Sequence, residues 1–128
     1  MSKTPSDLKY SKTHEWVKVE DGNAKVGITD HAQDNLGDIT FVELPKIGAQ
    51  VKKDAEVSVI ESVKAASDLY SPVTGEIVSV NSELENAPEI INSDPYGKGW
   101  LYTVKISDKS EIDALMDALS YEKYLETI

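Results

Sequence analysis

The sequence predicts a mainly β fold in which two small sheets pack on each other. Three observations indicate this. Short runs of β-branched and aromatic residues alternate with polar ones, turn residues follow each run closely, and helical spacing is confined to short segments. The 128 residues fit a single domain, residues 1–128, and are enough to bury a core without disulfides, since the chain has no cysteine.

The predicted strands follow one another closely. Residues 16–20 and 24–28 alternate between apolar and polar side chains, and Asp21-Gly22-Asn23 between them predicts a hairpin. A turn at Lys52-Lys53-Asp54 precedes a central hairpin at about 57–73. Further strands are predicted at residues 39–44, 76–80 and 100–106, with an extended segment at Val51.

Short helices are predicted between and after the strands. Thr29 or Asp30 caps the first, and Gly37 ends it. Ser82 and Glu85 form a capping box for a helical turn that Pro88 ends, and residues 92–99 are expected to form a loop. A C-terminal helical segment at about 110–126 is predicted, in which Ser110 and Asp113 open one helix and Ser120 caps a last short helix. Its core-facing stripe is Ile112, Leu115, Met116 and Leu119.

Charge and hydropathy restrict the partners. The net charge is −10 and every one of the 13 basic residues is lysine, so we expect no nucleic-acid partner. The acidic surface either favours partners with basic docking faces or only keeps the protein in solution. The stretch of residues 1–7 is polar and no run reaches the length of a membrane span. These features predict a cytoplasmic protein, or a mitochondrial matrix protein if a transit peptide has been removed.

The sequence shows no catalytic constellation. His14 and His31 are the only histidines. A metal site or a catalytic triad would need further residues, and the spacing of the sequence does not supply them. We expect His14 to fix the first strand and His31 to lie on the short helix. A carrier or binding role is therefore favoured over an enzyme, with no metal site.

The central hairpin carries the most distinctive stretch, residues 61–68, Glu-Ser-Val-Lys-Ala-Ala-Ser-Asp. Lys64 falls near its tip and is flanked by Val63, Ala65 and Ala66 in place of the polar residues that usually form turns. Small apolar neighbours around one amine are typical of a surface that another enzyme reads. By position alone, however, a lysine is most often an ordinary exposed charge, so the specificity lies in the whole stretch and not in Lys64 by itself.

The stretch at residues 61–68 resembles the lipoyl-attachment segment of glycine cleavage H proteins. Other motifs match the family in order along nearly the whole chain: His14-Glu15-Trp16, residues 27–33, residues 42–45, Asp94-Pro95-Tyr96-Gly97 and Gly99-Trp100. The resemblance implies a barrel-sandwich hybrid of the kind found in biotinyl and lipoyl carriers. In such a fold, two small antiparallel sheets are accompanied by short peripheral helices and a C-terminal helix.

The resemblance also implies the chemistry. Lipoic acid would be joined to Lys64 by an amide, which removes the ammonium charge. The protein would carry the aminomethyl group of glycine from a pyridoxal-phosphate glycine decarboxylase to a folate-dependent aminomethyltransferase. A flavin-containing dihydrolipoamide dehydrogenase would reoxidise the arm, and a lipoylating enzyme would attach it. No interdomain linker is evident, so we expect a free-standing monomer.

A cleft for the loaded arm is a further hypothesis. Its cargo is cationic, so carboxylates should hold it. The candidates are Glu15 and Asp68, with Thr13 as a hydrogen-bond donor and Asn35 on the first helix. Relatives often have serine in place of Thr13, histidine in place of Asn35 and glycine in place of Asp54, so the contact at Asn35 is open. Each carboxylate could instead be a solvated surface charge.

The lipoylating enzyme would read the residues around the lysine: Glu61, Ser62, Val63 and Ala65. Three alternatives stay open. The protein could donate lipoyl groups to other carrier domains through the same Lys64. It could carry biotin, although biotinyl domains usually have Met-Lys-Met where this chain has Val63-Lys64-Ala65. It could also be an unmodified interaction module.

Overall fold

The computed structural model describes residues 3–128 and contains two antiparallel sheets, as predicted. The start of the polar amino-terminal stretch, residues 1–2, lies outside the described residues. The strands are β1 Lys9–Tyr10, β2 Glu15–Glu20, β3 Asn23–Ile28, β4 Ile39–Glu43, β5 Gln50–Val51, β6 Glu56–Ser62, β7 Ala66–Tyr70, β8 Gly75–Val80 and β9 Tyr102–Ile106. The larger sheet has the strand order β1-β2-β3-β9-β8-β5, and the smaller has the order β4-β6-β7.

The turn between β2 and β3 has the predicted hairpin geometry. Asp21 and Gly22 have φ angles of 51° and 81°. Two consecutive positive values match the twist of the strands on either side, and Asp and Gly are among the residues that adopt them readily. Asp54 also has a positive φ of 67°, as expected for a turn residue that replaces glycine.

The core lies between the two sheets. Val26, Ile77 and Val104 of the larger sheet are fully buried, and Ile77 is paired with Val104 across β8 and β9. Val42 and Ile60 of the smaller sheet belong to the same cluster. Each such side chain stabilises the fold by about 1.5–3 kcal/mol when fully buried. This packing holds the smaller sheet, and the turn at its end, in a fixed position.

The helices are short and lie around the sheets. Thr29 caps the first by accepting a hydrogen bond from the Ala32 amide, and Gly37 ends it with φ of 76°, as predicted. In residues 3–128 no helix has the length and apolar character needed to cross a membrane. The helices are α1 Asp30–Leu36, a 3-10 turn Ser82–Glu85, α2 Ile90–Ser93, α3 Ser110–Asp113 and α4 Ala118–Leu125.

The predicted capping box was wrong. Ser82 lies within the 3-10 turn, and Asn81 occupies the capping position without a capping side chain. The side-chain amide of Asn81 instead donates to the carbonyl oxygens of Lys98 and Trp100, at 2.7 and 2.8 Å. The predicted loop at 92–99 overlaps helix α2, and the last strand begins at Tyr102, two residues later than predicted.

The C-terminal segment consists of two short helices, and the first ends at Asp113, although the apolar stripe predicted that it continues to Leu119. Met116 forms a β-bridge with Tyr10 through hydrogen bonds of 2.8 and 2.9 Å, and this pairing interrupts the helical backbone after α3. Leu119, predicted to face the core, is 61% exposed. The cap of α4 is Asp117, which accepts a hydrogen bond from the amide of Ser120, the residue predicted to be the cap.

Candidate functional site

Lys64 lies in the turn between β6 and β7, as predicted. The two strands are paired up to Glu61 and Ala66, so the turn projects at the end of the smaller sheet. Lys64 and both of its neighbours are exposed, and the exposed fraction of Val63 is 69%. An exposed amine among small side chains on a rigid hairpin is accessible to a modifying enzyme.

Ser62 orders this turn, which we call the hairpin tip and define as residues 62–65. The Ser62 amide donates to the Ala65 carbonyl at 2.7 Å, and the Ser62 hydroxyl lies 3.1 Å from both the carbonyl oxygen and the amide of Ala65. The Val63 amide donates to the carbonyl oxygen of Asp38 at 3.0 Å. The backbone of the tip is therefore held on two sides while the lysine side chain projects from it.

The Lys64 side chain passes over Gly37, a contact that the sequence did not reveal. A Cβ atom added to Gly37 would lie 3.3 Å from Cε of Lys64. Asn92 fixes the Gly37 segment by donating to the Gly37 carbonyl and accepting from the Ile39 amide, both at 2.9 Å. Sequence reasoning recognised Gly37 only as a helix stop, because its neighbour lies 27 positions further along the chain.

Glu61 and Asp68 lie on the exposed face of the smaller sheet. Residues paired directly across antiparallel strands project to the same face. Glu61 pairs with Phe41 on one side and with Ala66 on the other, and Asp68 pairs with Val59. Both carboxylates are exposed, and Phe41 is 50% exposed. This face therefore places Glu61 beside the hairpin tip.

Glu15, by contrast, is buried, with only 1% of its surface exposed. The Ser11 hydroxyl donates to Oε1 at 2.6 Å, the Thr13 hydroxyl donates to the same oxygen, and the Tyr70 amide donates to Oε2 at 3.4 Å. Burial raises the pKa of Glu15 to about 7, although these hydrogen bonds act in the opposite direction. We call Ser11, Thr13, Glu15 and the Tyr70 amide the Glu15 pocket.

The structure connects the four predicted cleft residues in different ways. Thr13 contacts Glu15 directly. Asp68 lies two residues before Tyr70 on β7, the strand whose amide reaches Glu15. Asn35 contacts His31 on the same helix, with its Nδ2 3.0 Å from Nε2 of that ring, and in residues 3–128 it is not among the hydrogen-bond partners of the Glu15 side chain.

The two histidines belong to a polar cluster that the sequence did not predict. Their ring centroids are 4.9 Å apart, and Nδ1 of His14 lies 2.8 Å from the Tyr121 hydroxyl. The Tyr121 hydroxyl also lies 2.8 Å from the Thr29 hydroxyl. Burial, together with the nearby His31, lowers the pKa of His14, which favours its neutral form. No local pattern could reveal contacts that span 107 and 92 positions.

Glu15 is a buried acidic group in this part of the molecule. In the part of the chain that the structure describes, no group of three or more His, Asp or Glu side chains is arranged to hold a metal. A carboxylate with hydroxyl and amide donors can accept a hydrogen bond from a cationic amine, and burial strengthens that interaction. The molecule therefore has an exposed lysine at the hairpin tip and, separately, a buried carboxyl group.

Comparisons with known proteins show which family the chain is similar to. The family model described as glycine cleavage H-protein matches residues 8–128. Glycine cleavage system H proteins from Klebsiella pneumoniae and Pseudoalteromonas atlantica are 55% and 56% identical to the chain over 127 residues, with 98% of each chain covered. The crystal structure of such a protein from Mycobacterium marinum has a TM-score of 0.89 at 38% identity, covering 95% of this chain and 98% of that one. The barrel-sandwich hybrid prediction is confirmed.

Proposed function

The chain belongs to the glycine cleavage H-protein family, and from this premise we propose that Lys64 is its lipoyl-attachment residue. The chain is a lipoyl-carrying shuttle of the glycine cleavage system, with lipoate joined covalently to a lysine as its cofactor. Of its 13 lysines, Lys64 is the one at the tip of the central hairpin. That position is the single observation on which the assignment depends.

The residues around Lys64 fit a lipoyl group. The amine is exposed, the tip residues beside it are small or apolar, and the lysine methylenes already lie along a glycine. When attached, the lipoyl group supplies the disulfide that a chain without cysteine lacks. The hairpin contributes reach, and it raises the local concentration of the arm once a partner has docked.

We further propose that the Glu15 pocket receives the cationic cargo. Glu15 is the acceptor, Thr13 and Ser11 orient its carboxylate, and burial limits the access of water. Asp68, exposed on β7, and Asn35, on α1, would form the outer parts of the same cleft. A bound ammonium favours the ionised form of Glu15, so loading and deprotonation of Glu15 are coupled.

The partners are the other components of the glycine cleavage system. We infer that they are the glycine decarboxylase, the aminomethyltransferase and dihydrolipoamide dehydrogenase, with a lipoylating enzyme that acts beforehand. The carrier itself catalyses none of their steps. Glu61, Ser62, Val63 and Ala65 present the lysine to the lipoylating enzyme, and the exposed carboxylates favour a partner with a basic face.

Intact mass with peptide mapping, on protein isolated from its own host, tests the attachment site. We expect a lipoyl group on the Lys64 peptide and complete loss of this modification in Lys64→Ala. The exposed Lys46→Ala serves as the control and should keep full modification. Biotin on the Lys64 peptide, or an unmodified Lys64 in cells that lipoylate other proteins, would contradict the proposal.

A further inference from the structure

Tyr121 is a completely buried residue of α4 that bonds to two separate parts of the chain. Its hydroxyl lies 2.8 Å from Nδ1 of His14 and 2.8 Å from Oγ1 of Thr29. Its ring stacks on Tyr10 with a centroid distance of 4.7 Å and an interplanar angle of 8°. The stacking fixes the ring, so the hydroxyl occupies a defined position between its two partners.

The first partner belongs to the loop that forms the Glu15 pocket. His14 stands between Thr13 and Glu15 and has a φ of 71°, a value that few residues other than glycine adopt without cost. A contact that holds the His14 ring also restrains the neighbouring Thr13 and Glu15. Tyr121 provides such a contact from a helix more than a hundred positions away.

The second partner is the cap of α1, the helix that carries His31 and Asn35. The Thr29 hydroxyl accepts a hydrogen bond from the Ala32 amide at 3.2 Å, and the Thr29 amide donates to the carbonyl oxygen of His14 at 3.0 Å. The Tyr121 hydroxyl therefore connects the Glu15 loop to the start of α1. These two segments carry Thr13, Glu15 and Asn35, three of the residues of the proposed cargo cleft.

We propose that Tyr121 is a positioning residue for the cargo cleft, in which its hydroxyl holds the Glu15 loop against the cap of α1. This inference depends on the proposed cargo cleft. The C-terminal helix then has a role in carrier chemistry without touching the arm. The role belongs to the hydroxyl and not to the ring, because the stacking on Tyr10 can persist without it.

The test uses Tyr121→Phe, which keeps the ring, and Tyr124→Phe as the matched control. Tyr124 lies on the same helix, and its hydroxyl donates to the Lys12 carbonyl of the same loop, at 3.2 Å near the surface. It therefore controls for a contact between α4 and the loop that does not extend to Thr29 at the cap of α1. Amide hydrogen exchange is measured on the unmodified full chain. We expect at least tenfold faster exchange at Glu15, Thr29 and Ala32 in Tyr121→Phe, with changes below about twofold in β9 and in Tyr124→Phe.

Two further measurements complete the test. Thr29→Val should also speed amide exchange at Glu15. In the double variant with Tyr121→Phe, the increase at Glu15 should be smaller than the sum of the two single effects, because both substitutions remove the hydrogen bond between Thr29 and Tyr121. On lipoylated, cargo-loaded protein, Tyr121→Phe should shorten the lifetime of the cargo several-fold. The cargo lifetime can be measured only on protein that carries the lipoyl arm, whereas hydrogen exchange is measured on the unmodified chain. If Lys64 is not the lipoyl-attachment residue, the peptide mass measurement shows this independently of the exchange result.

Three outcomes would overturn the inference. Exchange in Tyr121→Phe could be unchanged. It could rise equally throughout β9, which would indicate a general loss of stability. It could rise only at the three local amides while the cargo lifetime stayed at the wild-type value, which would show that the hydroxyl orders the loop without shaping the cleft.

Discussion

The hairpin tip and the Glu15 pocket serve one proposed function with opposite physical properties. The tip exposes a lysine among small side chains, and most of its hydrogen bonds lie within residues 62–65, with one further bond to Asp38. The pocket buries a carboxyl group and surrounds it with donors from two different segments. A tip must be reached by other enzymes, whereas a pocket for a reactive cargo must limit the access of water.

This difference predicts which substitutions change stability and which change only recognition. Buried, hydrogen-bonded groups affect the free energy of unfolding, because an unfolded chain returns them to water. Exposed groups change stability little. Substitutions in the pocket should therefore change how the free energy of unfolding depends on pH, and substitutions at the tip should change the rate of lipoylation.

The largest effect is expected for Glu15→Gln. Folding raises the pKa of Glu15 from 4.5 to about 7. Its contribution to stability is therefore fully present below about pH 4.5 and is lost as the pH rises through about 7. The loss amounts to up to about 3 kcal/mol. Glutamine does not titrate, so Glu15→Gln should remove this fall in the free energy of unfolding, measured by urea denaturation between pH 4.5 and 8.

Asp68→Asn is the matched control for this experiment. It also neutralises a carboxylate of the proposed cleft, but Asp68 is exposed. We expect the fall in stability between pH 4.5 and 8 to persist in Asp68→Asn, with a change in stability below about 0.5 kcal/mol. If the two variants gave the same pH dependence, Glu15 would not be the titrating group, and the contrast between tip and pocket would fail.

A smaller effect is expected for Ser62→Ala at the tip. The variant loses the hydroxyl contacts with Ala65, which order the turn that presents Lys64. We expect the specificity constant for lipoylation to fall roughly fivefold, which corresponds to about 1 kcal/mol. Ser67→Ala, with a long contact of 3.5 Å from its hydroxyl, is the control and should keep the wild-type rate. An equal lipoylation rate in the wild type, Ser62→Ala and Ser67→Ala would show that the Ser62 hydroxyl does not help to present Lys64.

The tip could be predicted from the sequence because its signals are local. Residues 61–68 contain the proposed attachment lysine, its small neighbours and the adjoining parts of the two strands. The β2–β3 hairpin and the cap and end of α1 were found for the same reason, since each depends on residues within a few positions. The two-sheet architecture followed from the number and spacing of such elements.

The pocket could be predicted only in part. Glu15 and Thr13 were identified through resemblance, but the burial of Glu15 depends on strands that are distant in sequence. Ser11 and Tyr121 gave no local signal. The apolar stripe at residues 112–119 predicted one continuous helix. Apolar periodicity reports only on neighbouring residues, so it could not reveal the competing β-bridge between Met116 and Tyr10, which lie 106 positions apart. Long-range pairing overrode local helical preference there.

The central claim is that a cargo attached at the exposed tip is received by the buried carboxyl group. The most direct measurement is the pH titration of the Glu15 carboxyl group, followed through the NMR chemical shift of its carbon. It is made on the unmodified protein and on the lipoylated, cargo-loaded protein. We predict a midpoint near 7 in the unmodified protein and a lower midpoint in the loaded protein, because a nearby ammonium favours the carboxylate. The same midpoint in both proteins would show that the cargo does not reach Glu15, and would contradict the account.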